Sequence, residues 1–185
     1  MEIILCICIG IGLSAACGFR IFVPPLIMSI ASLSGHLTLA NGFEWIGTYP
    51  ALIAFSFATI LEIIAYYIPW LDNLLDSIAT PAAVIAGIIV AASALTGINP
   101  MLKWILAIIA GGGTAGAIQG FTTLIRAAST AATGGLGNFI IATIEVCSSI
   151  FLSLLSLIFP LAAMLIVMVI MFLAVRKISQ KLLSE

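Results

Sequence analysis

Apolar runs broken by short polar or glycine- and proline-bearing segments organise this chain from end to end. Two of them, about 3–33 and 101–133, exceed the ~20 residues that a helix needs to cross a bilayer's hydrocarbon. Each is therefore expected to be broken, strongly tilted or folded back. Small residues recur every four positions in both: Gly10, Ser14 and Gly18 before Phe19, and Gly112, Gly116 and Gly120 before Phe121. That spacing puts them on one helix face, where backbones can approach closely. The breaks are expected at Gly18-Phe19 and Gly120-Phe121, supported in the first copy by Pro24-Pro25, because glycine and proline interrupt helices.

After a polar loop from Ser34 to Pro50, the pattern predicts a crossing over about 51–68, with Tyr66, Tyr67 and Trp70 suited to a membrane interface. A short interfacial helix follows between Pro69 and Thr80. Trp70, Leu71, Leu74, Leu75 and Ile78 fall on one of its sides, and Asp72, Asn73, Asp76 and Ser77 on the other. A third crossing, about 81–95, ends at the turn Thr96-Gly97-Ile98-Asn99-Pro100. The second stretch, a glycine link at 134–137 and crossings over about 139–159 and 160–175 repeat the scheme. The expected fold is all-α and polytopic, with about six crossings. They form two three-helix inverted repeats, 1–97 and 98–185, each with a broken or re-entrant first helix, an arrangement recurrent in transporters.

Composition agrees with a bilayer as solvent. The 185 residues are 63% hydrophobic and 7% charged, with a mean hydropathy of +1.35, more apolar surface than one soluble core of this size hides. Net charge is -1 and basic residues cluster only at Arg176, Lys177 and Lys181, which excludes a nucleic-acid surface. The basic tail favours a cytoplasmic C-terminus, and an even number of crossings places the N-terminus beside it. Lys103 would then lie outside. Glu2 stands where a signal peptide carries its basic region, so the first helix is read as retained. The expected location is a bacterial inner membrane.

Cys6, Cys8, Cys17 and Cys147 lie in apolar runs with no metal-ligand spacing, and His36 stands alone in a loop. No metal or cofactor is expected. The chemistry-bearing candidates are the charges inside apolar runs. Glu62 and Glu145 occupy related contexts, Ala58-Thr59-Ile60-Leu61-Glu62 and Ala142-Thr143-Ile144-Glu145, and a charged carboxylate at mid-membrane costs roughly 2.5 to 3.5 kcal/mol unless water, a partner or a proton relieves it. Hydroxyls accompany both: Ser56, Thr59 and Tyr66 around the first, Ser149, Ser153 and Ser156 after the second. Alone they read as helix-packing hydrogen bonds. Gln119, Thr122, Thr123, Arg126, Ser129, Thr130 and Thr133 form a face too polar for lipid. Arg126 and Arg20 are expected to converge near the helix breaks, either locking a glutamate as an ion pair or binding an anion bidentately. Proximity to an arginine separates a titrating carboxylate from a fixed pair. Gly111-Gly112-Gly113-Thr114 lacks the ending of a phosphate loop.

Gly18-Phe19-Arg20 with Pro24-Pro25, Leu71-Asp72-Asn73 through Ala79-Thr80-Pro81, and Gly111-Gly112-Gly113-Thr114 together resemble a family of small bacterial membrane proteins known only as a domain of unknown function. The resemblance covers nearly the whole chain and implies a polytopic membrane domain without supplying an activity. The functional expectation is a small secondary transporter or channel using Glu62, Glu145, Arg20, Arg126, Gln119 and Thr123. Its partners are the lipid bilayer and a small ion, anionic solute or lipid headgroup. A membrane enzyme or flippase handling lipid phosphates is the alternative, and would have a cavity open sideways to lipid. A scaffold that leaves the charges idle is a further one. Whether the chain is an enzyme and whether it forms a homo-oligomer stay open.

Overall fold

The computed structural model describes residues 2–182, with the side chains of 69–70, 72–74, 76–77, 174–175 and 177–182 outside the description. Among the described residues the regular elements are all helical, without strands. The helices are α1 (Glu2–Cys17), α2 (Val23–Leu33), α3 (Tyr49–Tyr66), α4 (Pro69–Ala94), α5 (Pro100–Leu106), α6 (Gly113–Thr133), α7 (Asn138–Ile158) and α8 (Pro160–Leu182). A 3-10 turn at Glu44–Gly47 precedes α3, and a π-helical segment at Ala107–Gly112 joins α5 to α6. Among the described residues three continuous helical stretches are long and apolar enough to cross a membrane: Tyr49–Tyr66, Pro100–Thr133 and Asn138–Ile158. This is a membrane protein.

Helix α1 is the central element, packed against α4, α6, α7 and α8. Its position follows from its small residues. The Ser14 hydroxyl donates to the Gly87 carbonyl at 2.8 Å, and a Cβ on Gly87 would lie 2.5 Å from that of Ala115 and 3.0 Å from the Gly111 carbonyl oxygen. Helices α1 and α4 and the π segment with α6 thus meet where no side chain larger than a methyl or hydroxyl fits. Around this crossing Leu13, Cys17, Met28, Val90 and Ala107 form one apolar core cluster, and Ala15, Ala16, Ile118, Leu152 and Val167 a second.

The two long apolar stretches differ. The first is interrupted between Cys17 and Val23, with Gly18 and Phe19 in the turn and Gly18 pressed against α6: its Cβ would sit 2.6 Å from the Ile118 Cβ and 2.7 Å from the Ala115 carbonyl oxygen. In the second, the break expected at Gly120-Phe121 is absent, and α6 runs continuously through both residues. Nothing lies within 4 Å of where a Gly120 Cβ would be. A lone glycine lowers helix stability by about 1 kcal/mol relative to alanine, too little to end a helix that nothing else disturbs. The irregularity of this stretch lies earlier, at Ala107–Gly112, where the helix widens by a π turn without stopping.

The interfacial helix and third crossing expected on either side of Pro81 are a single 26-residue helix, α4. Proline removes one N–H, and a helix packed among others keeps its course when neighbours satisfy the freed backbone. The expected polar face at Asp72, Asn73, Asp76 and Ser77 lies outside the described side chains. Helix α6 ends on Gly134, whose φ of 65° is the left-handed cap favoured by glycine and whose N–H reaches the Thr130 carbonyl.

Candidate functional site

Four buried charged residues, Arg20, Glu62, Arg126 and Glu145, lie around the α1–α2 interruption. Arg20, within that interruption, is 1% exposed; Arg126 on α6 and Glu145 on α7 are 2% and 3% exposed. Glu145 receives both guanidiniums. Arg126 donates through Nε to Oε1 at 3.0 Å and through Nη2 to Oε2, while Arg20 Nη2 lies 3.1 Å from Oε2. That nitrogen also donates to the Ala142 carbonyl, one turn back on α7, at 3.0 Å. The buried Tyr66 ring lies beside both arginines, its centroid 4.0 Å from Arg20 Cζ and 4.2 Å from Arg126 Cζ. Cation–π contact in a dry site holds this geometry. Tyr66 is therefore part of the cluster, not the interface aromatic expected. Its i+4 position after Glu62 was the signal for that.

Glu62 is held differently. Its carboxylate accepts the Ile21 N–H at 2.8 Å and the Phe22 N–H at 3.1 Å, donors of the interruption at and just before the Phe22 N-cap of α2. No ion pair reaches it among the described residues. The two glutamates thus converge on one interruption, one gripping its backbone and the other its arginine. Arg20 still has spare donors: Nε and Nη1 are buried without a hydrogen-bond partner.

Gln119 and Thr123 belong to a different arrangement. Gln119 Nε2 donates to Thr123 Oγ1 at 3.4 Å, and the Thr122 and Thr123 hydroxyls donate back to the Gln119 carbonyl. Their side-chain hydrogen bonds stay within α6. Two of the α7 serines serve packing: Ser149 donates to the Ala16 carbonyl on α1 at 2.9 Å, and Ser156 donates to the Leu152 carbonyl, while Ser153 Oγ is buried without a hydrogen-bond partner.

Glu62 and Tyr66 also line a cavity of about 430 Å³ between the start of α2, α3 and α4, whose other walls include Ile21, Phe22, Leu61, Ile78 and Ala82. A second cavity of about 290 Å³ shares Ile21, Phe22 and Ala82 with it. Leu61 and Ile78 are each at least half exposed, so the space reaches the protein surface. No sequence pattern announced it, because its walls are ordinary apolar residues.

Set in this helical membrane framework, the matched family model spans nearly all of the chain, residues 7–180. The chain belongs to the family described as Domain of unknown function (DUF4126). No curated protein and no solved structure matches this DUF4126 chain. Among its described residues no three His, Cys, Asp or Glu side chains group as a metal site. The chemistry of this DUF4126 chain is read from its two buried arginines, its two buried glutamates and the cavity beside them.

Proposed function

We propose that the chain is a small secondary transporter or channel of a bacterial inner membrane, moving an ion or small anionic solute through a site where its two halves meet. In this reading 1–97 and 98–185 are inverted repeats. The crossings are α3, the apolar part of α4, the stretch Pro100–Thr133, α7 and α8, and α1 with α2 is the re-entrant first element: the two run oppositely along α4, with Cys6 beside Thr96 and the loop after α2 bonded to the Ser93 carbonyl. Glu145 with Arg20 and Arg126 forms a fixed lock, and Glu62 is the group that exchanges a proton or cation.

The observation that carries the reading is Glu62 itself. It is a carboxylate inside an apolar helix, bound to backbone N–H groups without an ion pair among the described residues, and it faces a cavity. Intramembrane carboxylates persist where they meet a partner, water or a proton, and half-helix N-termini are recurrent ion and substrate sites in transporters.

The test is flux into proteoliposomes under imposed pH and ion gradients. The wild-type protein is expected to carry a proton-coupled or cation-coupled flux, and Glu62→Gln to lower it at least tenfold and remove its pH dependence while inserting normally. Equal flux and ion dependence in the two proteins, or no flux of any small ion or anion, overturns the reading. The spare donors of Arg20 favour a second reading, in which the chain handles lipid phosphates. Headgroup turnover or flipping without ion flux supports that instead.

A further inference from the structure

The walls of the cavity beside Glu62 restrict what it can hold. Glu62 is the one charged group on them among the described residues, and apart from Tyr66 the remainder is aliphatic or phenyl. A bare metal ion needs several oxygen ligands, six to eight for calcium, and one carboxylate among apolar walls does not provide them. An anion fares no better, since it would face the Glu62 carboxylate while the Ile21 and Phe22 N–H groups are already taken. The positive charge of Arg20 and Arg126 lies beside Tyr66 and Glu145, and neither arginine lines the space. A carboxylate offers about four acceptor sites, and backbone donors occupy two of them on Glu62. At about 430 Å³ the cavity is within the roughly 300–1,000 Å³ range of small-molecule sites.

We infer that this cavity binds a lipophilic monocation, which enters sideways from the lipid and takes the Glu62 carboxylate as its counter-ion. The cation brings its own apolar cover, which the walls replace for lipid, and the membrane concentrates it at the mouth between Leu61 and Ile78. A proton on Glu62 competes with it, because the protonated acid is no counter-ion. The other titratable or charged groups around Glu62 are Arg20, Glu145 and the buried Cys17 thiol, all within electrostatic range, and, through Glu145 and Tyr66, Arg126. From α4 the described cavity walls, Leu75, Ile78, Ala79 and Ala82, are uncharged. The inference names the substrate class of the transport reading and rests on that reading for movement, though not for binding.

Equilibrium binding of radiolabelled tetraphenylphosphonium to the purified protein in phosphatidylcholine nanodiscs tests it without any gradient. Saturable binding is expected, weakening as pH falls, at least tenfold weaker in Glu62→Gln, and blocked in Ala58→Trp, which fills the space and keeps the carboxylate. Tetraphenylborate, of the same shape and opposite charge, is expected not to compete. Absent saturable binding, preference for the borate, or equal binding in Glu62→Gln overturns the inference. If Glu62→Gln does not fold, Ala58→Trp and the wild-type pH dependence decide. Small-ion flux that needs Glu62, without phosphonium binding, defeats the substrate class and leaves the transport reading standing. Binding without flux does the reverse.

Discussion

Glu62 and Glu145 have related flanking residues and are both buried, yet their partners make them different groups. Glu145 is the counter-ion of two guanidiniums that have left water, so removing its charge leaves both uncompensated. Glu145→Gln is expected to lower stability by about 3–5 kcal/mol, the scale for breaking one side of a buried pair, read as thermal unfolding in detergent. Adding Arg126→Gln to it is expected to cost less than the sum of the single losses, because the amide then no longer opposes a second buried cation. Strict additivity would show that the pair is not coupled. The carboxylates were legible in the sequence because charge inside an apolar run is rare. Which of them meets the arginines was not, since that depends on how α1, α6 and α7 cross.

Among elements, the same four-residue ladder gives an interruption at Gly18 and a continuous helix at Gly120. The difference lies in the neighbours. Around Gly18, Ile118 and the Ala115 backbone come so close that no Cβ fits, whereas Gly120 faces open space. Gly18→Val is expected to destabilise the protein by about 1–3 kcal/mol or more through overpacking. Gly120→Ala is expected to be neutral or to add up to about 1 kcal/mol through helix propensity. Paired unfolding measurements check both, and equal effects would refute the packing account. Helix existence was legible from apolar run length at α3 and α7, whose bounds fall within two residues of those expected. Pro81 misled because a proline reads as a boundary in sequence, while α4 continues through it.

At the scale of the whole molecule, the proposed inversion of the halves fixes where the loops emerge. Lys103 Nζ donates to the Asn41 carbonyl at 3.4 Å and lies 5.2 Å from the Phe43 ring, so the start of α5 and the loop before α3 share one end of the molecule. The stretch Pro100–Thr133 has 34 residues, about 50 Å of helix at 1.5 Å per residue, ample to carry Gly135 to the opposite side. Accessibility tags placed at Asn41 and Gly135 are expected to react from opposite faces of the membrane. Reaction from the same face would show the halves to be parallel.

The π turn at Ala107–Gly112 bears on how this long rod tolerates changes of length. A π turn is a place where a helix stores a surplus residue without rotating the turns beyond it. Deleting one residue there, at the exposed Ile108 or Ile109, tightens the coil to an ordinary one and leaves Arg126 aimed at Glu145. The same deletion at Gly120 swings every later side chain by about 100° and carries Arg126 off its partner. The rod therefore has one slack joint upstream of a stretch whose phase is fixed by a salt bridge.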